Sequence, residues 1–418
     1  MSVPVSASAS RPRLVSKTFL AVMSATGAFF VYVGMLVPIL PPFIEDELGG
    51  GELGVGLSLA AFAFAAIVAR PILGRLVERF GRRRVMIGGA LLAGTAGFLC
   101  ALVNSLPPLL ALRAVAGVGE AALFVGAATL ITDLAPRDRR AEAASYFSVA
   151  VFGGLGVGPV IGEAVLSGDR FHLAFLVAGG FTVLAAVLSL AVPHRIELAD
   201  GEQEAIEELG GLPGATGIRR WVHPAAIGPG VVLASSIAAL SVFSAFLPEH
   251  ARSVGFAGSG ALFAVYSVVC LVLRLAGARL PERLGPRRAV TLSFASTATA
   301  LFLLAAFAQP WALWVAAAVI GVGTAFIYPS LMALAIDRAP DSQRPRVLGS
   351  FTMFFELGTV TGGVALGLVA QMFGKRAAFG GAVVICLAGL WLLRSRVVPA
   401  DDRLAITRPA PAFVPATD

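Results

Sequence analysis

Twelve apolar runs, most of them about 20 residues long, recur along the whole chain, near residues 18–40, 55–75, 85–104, 108–132, 141–165, 171–192, 228–248, 258–279, 289–308, 311–335, 347–370 and 377–393. An α-helix needs about that length to cross ~30 Å of hydrocarbon, and a bilayer interior admits only backbones whose polar groups are satisfied internally. Charged or Pro/Gly-rich segments border the runs and end them. Side-chain usage agrees: 57% of the 418 residues are hydrophobic and 14% charged, against roughly 25% charged in an ordinary soluble domain. The expectation is an all-α integral membrane protein of twelve transmembrane helices.

The formal net charge of +7 would suit a nucleic-acid partner if it were clustered, so its placement decides. Of the 32 Lys and Arg, 25 fall in the tails and even-numbered loops; Arg170, Arg252, Lys375 and Arg376 fall on the other side, and Arg70, Arg113 and Arg274 lie within spans. This positive-inside asymmetry places both termini in the cytoplasm, supports an even number of spans and leaves no need for nucleic acid. The segment MSVPVSASASRPR has no apolar core of its own, so the first span is expected to be retained. Cys100, Cys270 and Cys386 lie inside spans at spacings that fit no metal or redox motif, and His172, His194, His223 and His250 are far apart at span ends or in loops. No metal and no cofactor is expected.

One offset, 204 residues, aligns the chain with itself in three places. RPILGRLVERFGRRR (70–84) meets RLAGARLPERLGPRR (274–288) with eight of fifteen positions identical, including Arg70/Arg274, Glu78/Glu282 and Gly81/Gly285. GVGEAALFVGAATLITDLAP (117–136) meets GVGTAFIYPSLMALAIDRAP (321–340), pairing Gly117/Gly321, Gly119/Gly323, Asp133/Asp337 and Pro136/Pro340, and Gly154 and Gly158 find Gly358 and Gly362. Two six-helix halves of the same orientation follow, with substrate between them. The expected organisation is a cytoplasmic tail (1–17), an N-terminal half (18–192), a cytoplasmic linker (193–227) rich in Glu, Gly and Pro, a C-terminal half (228–394) and a cytoplasmic tail (395–418).

Three motifs share this frame. GRLVERFGRRR (74–84) combines glycines, a carboxylate and an arginine cluster of the kind that can make a tight turn holding one anion among cations near helix ends. RAVAGVG starts at Arg113, and GLGVGPVIG (154–162) sets Gly154, Gly158 and Gly162 on one smooth helix face beside Pro159. With these in hand the chain resembles the major facilitator superfamily, most closely its twelve-span drug:proton antiporter group. Gly74, Leu76, Arg79, Gly81, Arg82 and Arg83 match the superfamily's loop motif, with Glu78 where Asp is usual; Gly154, Gly158, Pro159 and Gly162 match the fifth-span motif of antiporters, while Ser145 stands where its first glycine belongs. The resemblance implies a cytoplasmic latch of Glu78, its arginines, Asp133 and the start of span eleven. It also implies that the fifth-span glycines let that span slide against the other half, with passive small-residue packing as the alternative, and proton-coupled export as the activity.

A charged side chain at mid-bilayer costs roughly 2.5 to 3.5 kcal/mol even on the lenient insertion scale, so Glu120, Arg113 and Glu356 need a reason to be there. Arg113 and Glu120 project from nearly one face of the fourth span, roughly 10 Å apart along its axis and out of direct contact. Their counterparts under the repeat are Ala317 and Thr324, and that of Glu356 is Phe152. The scaffold is copied and these charges are not, as befits an asymmetric site. A carboxylate that takes either a proton or a cationic solute couples the two as antiport, and Glu120 leads for that role, followed by Glu356. Glu163 lies near the outer end of span five. A buried glutamate that fixes helix packing is the competing reading. Tyr32, Phe124, Ser241, Phe326 and Tyr328 are the mid-depth candidates for a cavity wall. With one or two acids, such a wall suits amphipathic or cationic organic solutes.

An ATP-driven pump is disfavoured, because no G-x-x-x-x-G-K-[ST] occurs and the chain has only Lys17 and Lys375. A membrane enzyme would want His, Asp or Cys clustered at one depth. The expectation is therefore a non-enzymatic, monomeric, multi-pass transporter of the plasma or inner membrane whose partners are a small-molecule substrate, protons and the bilayer. A transporter of one specific metabolite, in either direction, and a non-transporting sensor are the alternatives.

Overall fold

Apolar segments rich in Ala, Leu, Val and Gly satisfy their backbone inside a bilayer by coiling. The computed structural model describes residues 16–135, 140–166, 170–193, 222–276, 284–339 and 344–397. Within them run twelve α-helices: α1 (Lys17–Pro42), α2 (Gly51–Phe80), α3 (Arg82–Cys100), α4 (Leu106–Leu134), α5 (Arg140–Leu166), α6 (Phe171–Leu190), α7 (Pro224–Ser253), α8 (Gly260–Ala276), α9 (Pro286–Ala306), α10 (Pro310–Ile336), α11 (Arg344–Phe373) and α12 (Lys375–Leu392). Short π-turns extend α1 through Glu47 and α12 through Val397. Ten described helical stretches are long and apolar enough to cross a membrane. The other two are α3, which spends its first three positions on Arg82, Arg83 and Arg84, and the apolar α8, 17 residues long as described. Each helix sits on its expected span. The linker from 194 to 221 and the tails lie outside the described residues.

The expected loop at 74–84 is corrected. α2 continues through Phe80 and α3 begins at Arg82, so Gly81 alone makes the turn, at φ 85°. Gly74 sits inside α2 with open space where a Cβ would stand. Gly285, the copy of Gly81, turns from residue 284 into α9 at φ 78°. Both positions need the left-handed region that glycine enters without penalty, which accounts for the copied glycine.

Helix neighbours repeat between the halves. α1 packs on α5 and α6, and α3 on α4 and α6; in the second half α7 packs on α11 and α12, and α9 on α10 and α12. Across the middle, α2 packs on α11, its counterpart α8 packs on α5, and α1 meets α7. Leu176, Val187, Val268, Leu387 and Trp391 point outward and exposed, an apolar belt for lipid to cover.

In this conformation the fifth-span glycines pack within their own half, as the small-residue alternative has it. Added Cβ atoms at Gly154, Gly158 and Gly162 would strike α1 of the same half: Gly27 O and Phe30, the Gly34 backbone and Val31 O, and Met35 with Pro38. A spacing of four puts all three on the face that meets α1, so they cannot also be the surface that meets the other half. α5 reaches that half from its remaining faces, through Phe152, Gly156 and Glu163. Pro159 lies within α5 without ending it.

One end of the bundle is tied between halves by polar contacts. Lys375 at the start of α12 is ion-paired to Glu249 of α7, to Glu45 at 3.4 Å and to Glu52 at 3.7 Å. Arg252 bonds Asp46 at 3.1 Å. Glu163 accepts from the Ser259 amide at 3.0 Å and from its hydroxyl at 3.2 Å, holding the lead into α8 from the other half. Near that end α2 and α11 approach through glycine: a Cβ on Gly56 would collide with the Gly363 carbonyl.

Candidate functional site

Deep in the bundle, α2 carries Arg70 toward α11. Its Nη2 donates to Glu356 Oε1 at 2.7 Å and lies 4.0 Å from Glu120 Oε2 on α4. All three side chains are nearly dry, 11%, 9% and 6% exposed, which strengthens their mutual electrostatics relative to water. The guanidinium also stands 5.2 Å from the centre of the Phe124 ring, one turn beyond Glu120 on the same face of α4. Glu120 Oε2 makes no hydrogen bond among the described residues, nor does Arg70 Nε. Two carboxylates thus share one guanidinium, and the second acid holds an unused acceptor.

Arg113 is not part of this group. Buried on α4, it lies over the Phe62 ring at 4.5 Å, and its Nε has no hydrogen-bond partner.

Arg274, the copy of Arg70, occupies the matching place in the second half. It donates from Nη2 to the Thr324 carbonyl at 3.2 Å and lies 3.6 Å above the Phe152 ring. Thr324 is the copy of Glu120, and Phe152 answers to Glu356. Each arginine therefore bridges its own half's fourth helix to the opposite half's fifth. Only the first bridge carries acids.

The cavity-wall candidates divide. Phe124 and its copy Tyr328 flank the two arginines; Phe124 packs edge-on to Phe147 at 5.3 Å, and Tyr328 lies between Phe152 at 6.5 Å and Phe351 at 5.5 Å. Tyr32 is buried in the first half, its hydroxyl donating to Ala93 O at 3.2 Å. Ser241 bonds back to Ile237 O at 2.9 Å, and Phe326 packs with Cys270, Ala289 and Ala325. All three are buried in this conformation.

At the arginine-rich end, Arg82 Nε bonds Asp133 Oδ2 at 3.0 Å, so two of the expected latch residues meet. The Glu78 side chain lies outside what is described, as do the side chains at the start of α11. Arg79 is exposed beside Phe80, and Arg83 is half-buried.

Sequence reasoning missed Arg70 as a site residue. The signal was present, a charge inside a span, but its copy at Arg274 assigned it to the scaffold.

The family profile described as Major Facilitator Superfamily matches residues 19–248 and 230–415. The chain belongs to this superfamily. An uncharacterized MFS-type transporter of Burkholderia mallei is 26% identical over 406 residues, covering 94% of this chain and 96% of the relative. One from Salmonella typhimurium is 25% identical over 385 residues, 90% of this chain and 95% of the relative. In three dimensions the chain is similar to a bacterial homolog of the human lysosomal transporter Spinster in an inward-facing, unoccupied conformation (TM-score 0.74, 16% identity, 96% of this chain and 100% of that one). It is also similar to the nucleoside transporter NupG (TM-score 0.70, 15% identity, 91% and 100%). The human organic anion transporter MFSD10 matches with a TM-score of 0.67 at 18% identity, over 90% and 99%. At these identities the structural likeness concerns the fold, and the chain is a multi-pass membrane protein of transporter architecture.

Proposed function

We propose that this superfamily member is a proton-coupled secondary transporter that exports small amphipathic organic molecules in exchange for protons by alternating access. The observation that carries the reading is the Arg70–Glu356 bond across the halves with Glu120 beside it. When both acids are ionised the cluster holds one more negative charge than positive. In a dry site that surplus is costly until a proton or a cationic group neutralises it. A proton and a basic solute then compete for the same carboxylates, which is antiport. A proton on Glu356 also removes the ionic part of the tie between α2 and α11, so occupancy and the relative position of the halves are linked. The fifth-helix motif supports export and the drug:proton antiporter group.

In this reading residues 18–192 and 228–394 are the rocking halves, joined by a cytoplasmic linker at 193–227, and the protein works as a monomer in the cell membrane with both termini inside. The end tied by Lys375 is then the outer end, closed in this conformation. Arg82 and Asp133 belong to the inner latch. The bare Arg274 favours a second reading, a transporter of one specific metabolite.

The test is flux in proteoliposomes under an imposed pH gradient, with solutes of diverse charge in right-side-out and inverted orientation. Proton-driven accumulation in the orientation that corresponds to export is expected. Uptake would support the metabolite reading, and no flux in either orientation would leave a sensor.

A further inference from the structure

We infer that the transported solute carries an acidic group, a carboxylate or a group of like charge and shape, which binds Arg274 in the crevice between α5 and α8. The inference rests on the transport reading and narrows its substrate to a solute bearing both a basic and an acidic group.

Four observations converge on Arg274. Among the described residues no carboxylate comes within ion-pairing distance of it, whereas its copy Arg70 has two. A lone guanidinium inside a membrane protein is costly, and the Phe152 ring and one backbone carbonyl offset only part of that cost. Arg274 Nε is buried with no hydrogen-bond partner, and so is the hydroxyl of Ser267. Both residues line one cavity of about 20 Å³ with Phe152, Tyr266 and Cys270. That is room for about one water, so one oxygen of an acidic group fits there and the body of the solute does not.

A packing role explains the bond to Thr324 but not the idle Nε and Ser267 Oγ at the same cavity. An acid oxygen placed there would satisfy both donors and neutralise the charge. A guanidinium suits this task because it offers parallel N–H donors to a planar anion. Tyr328 packs against Phe152, which lies beneath Arg274, while its repeat copy Phe124 lies beneath Arg70. A solute between the arms would meet aromatic faces on both sides. Its basic group would be left to Glu120 and Glu356, so competition with protons is preserved. Pseudo-symmetry has produced two arms of opposite preference: one offers acids, the other a bare cation.

The test uses the full chain in proteoliposomes with a pH gradient and matched trios on one aromatic body, namely phenylalanine, phenethylamine and 3-phenylpropionate, with the corresponding indole and naphthyl sets. The expected result is flux at least tenfold higher for phenylalanine-type members than for the amine alone. In folded protein, checked by size-exclusion profile, Arg274→Gln should abolish that tenfold preference, while Arg274→Lys should retain part of it. Equal or higher flux of the amine in wild-type protein, or an acid preference unchanged in Arg274→Gln, would overturn the inference and leave proton-coupled transport standing. Absence of gradient-driven flux for every member would overturn both.

Discussion

Arg70 and Arg274 stand 204 positions apart in sequence and make the same reach in the fold, each from the second helix of its half toward the fifth helix of the other. Arg70 meets Glu356 at 2.7 Å, and Arg274 meets the ring of Phe152 at 3.6 Å. The scaffold supplies two equivalent arms, and divergence of the residues they touch makes one an acid-bearing cluster, proposed to couple protons, and the other a candidate acid-binding arm.

Removing one partner of a buried ion pair typically costs 3–5 kcal/mol because the other charge is stranded. Arg70→Ala strands two carboxylates and Glu356→Ala strands one guanidinium that still has Glu120 at 4.0 Å. Arg70→Ala should therefore lower the thermal unfolding midpoint in detergent more than Glu356→Ala does.

Phe152→Glu gives Arg274 the partner that Arg70 already has. The new pair should fold well, raise the unfolding midpoint relative to Phe152→Gln, and reduce flux of acid-bearing solutes at least tenfold while sparing the amine. Fluorescence-detected unfolding and the matched-trio flux assay read the two effects separately.

The arginine arms show where the sequence was legible. Apolar run length fixed the helices because hydrocarbon thickness leaves little choice, and the repeat fixed their neighbours because copied segments pack alike. Which face of α5 carries its glycines was not legible: a spacing of four identifies a smooth face without naming the helix that meets it. Arg70 was set aside by the rule that copied residues are scaffold, and the rule fails where a copied side chain finds unlike partners. Tyr32, Ser241 and Phe326 are buried in this conformation, and which way a side chain on such a span faces depends on helix rotation, which low amphipathicity conceals.

Glycine substitutions should separate packing from gating. A Cβ at Gly158 would stand 2.6 Å from Gly34 Cα, so Gly158→Val should destabilise the α1–α5 contact by about 1–3 kcal/mol. Gly153, with nothing within 4 Å, should accept alanine with no loss. Gly56→Ala would collide with the Gly363 carbonyl and should disfavour the closed arrangement at the Lys375 end, read as longer spin-label distances between α2 and α11 at that end.

Lys375 neutralises a group of carboxylates from α7, α2 and the end of α1. Lys375→Gln leaves like charges facing each other, so this end of the bundle should open. Spin labels on α1 and α12 at that end should move apart, and Lys375→Arg should restore the shorter distance.

The most direct test of the coupling cluster is proton movement in proteoliposomes, followed with an internal pH dye while a transported solute is supplied, for wild-type protein, Glu120→Gln and Glu356→Gln. Wild-type protein should move protons in exchange for solute. At least one variant should still exchange solute for solute across the membrane yet no longer respond to a pH gradient. Full gradient-driven transport by both variants, at wild-type expression, would contradict the account.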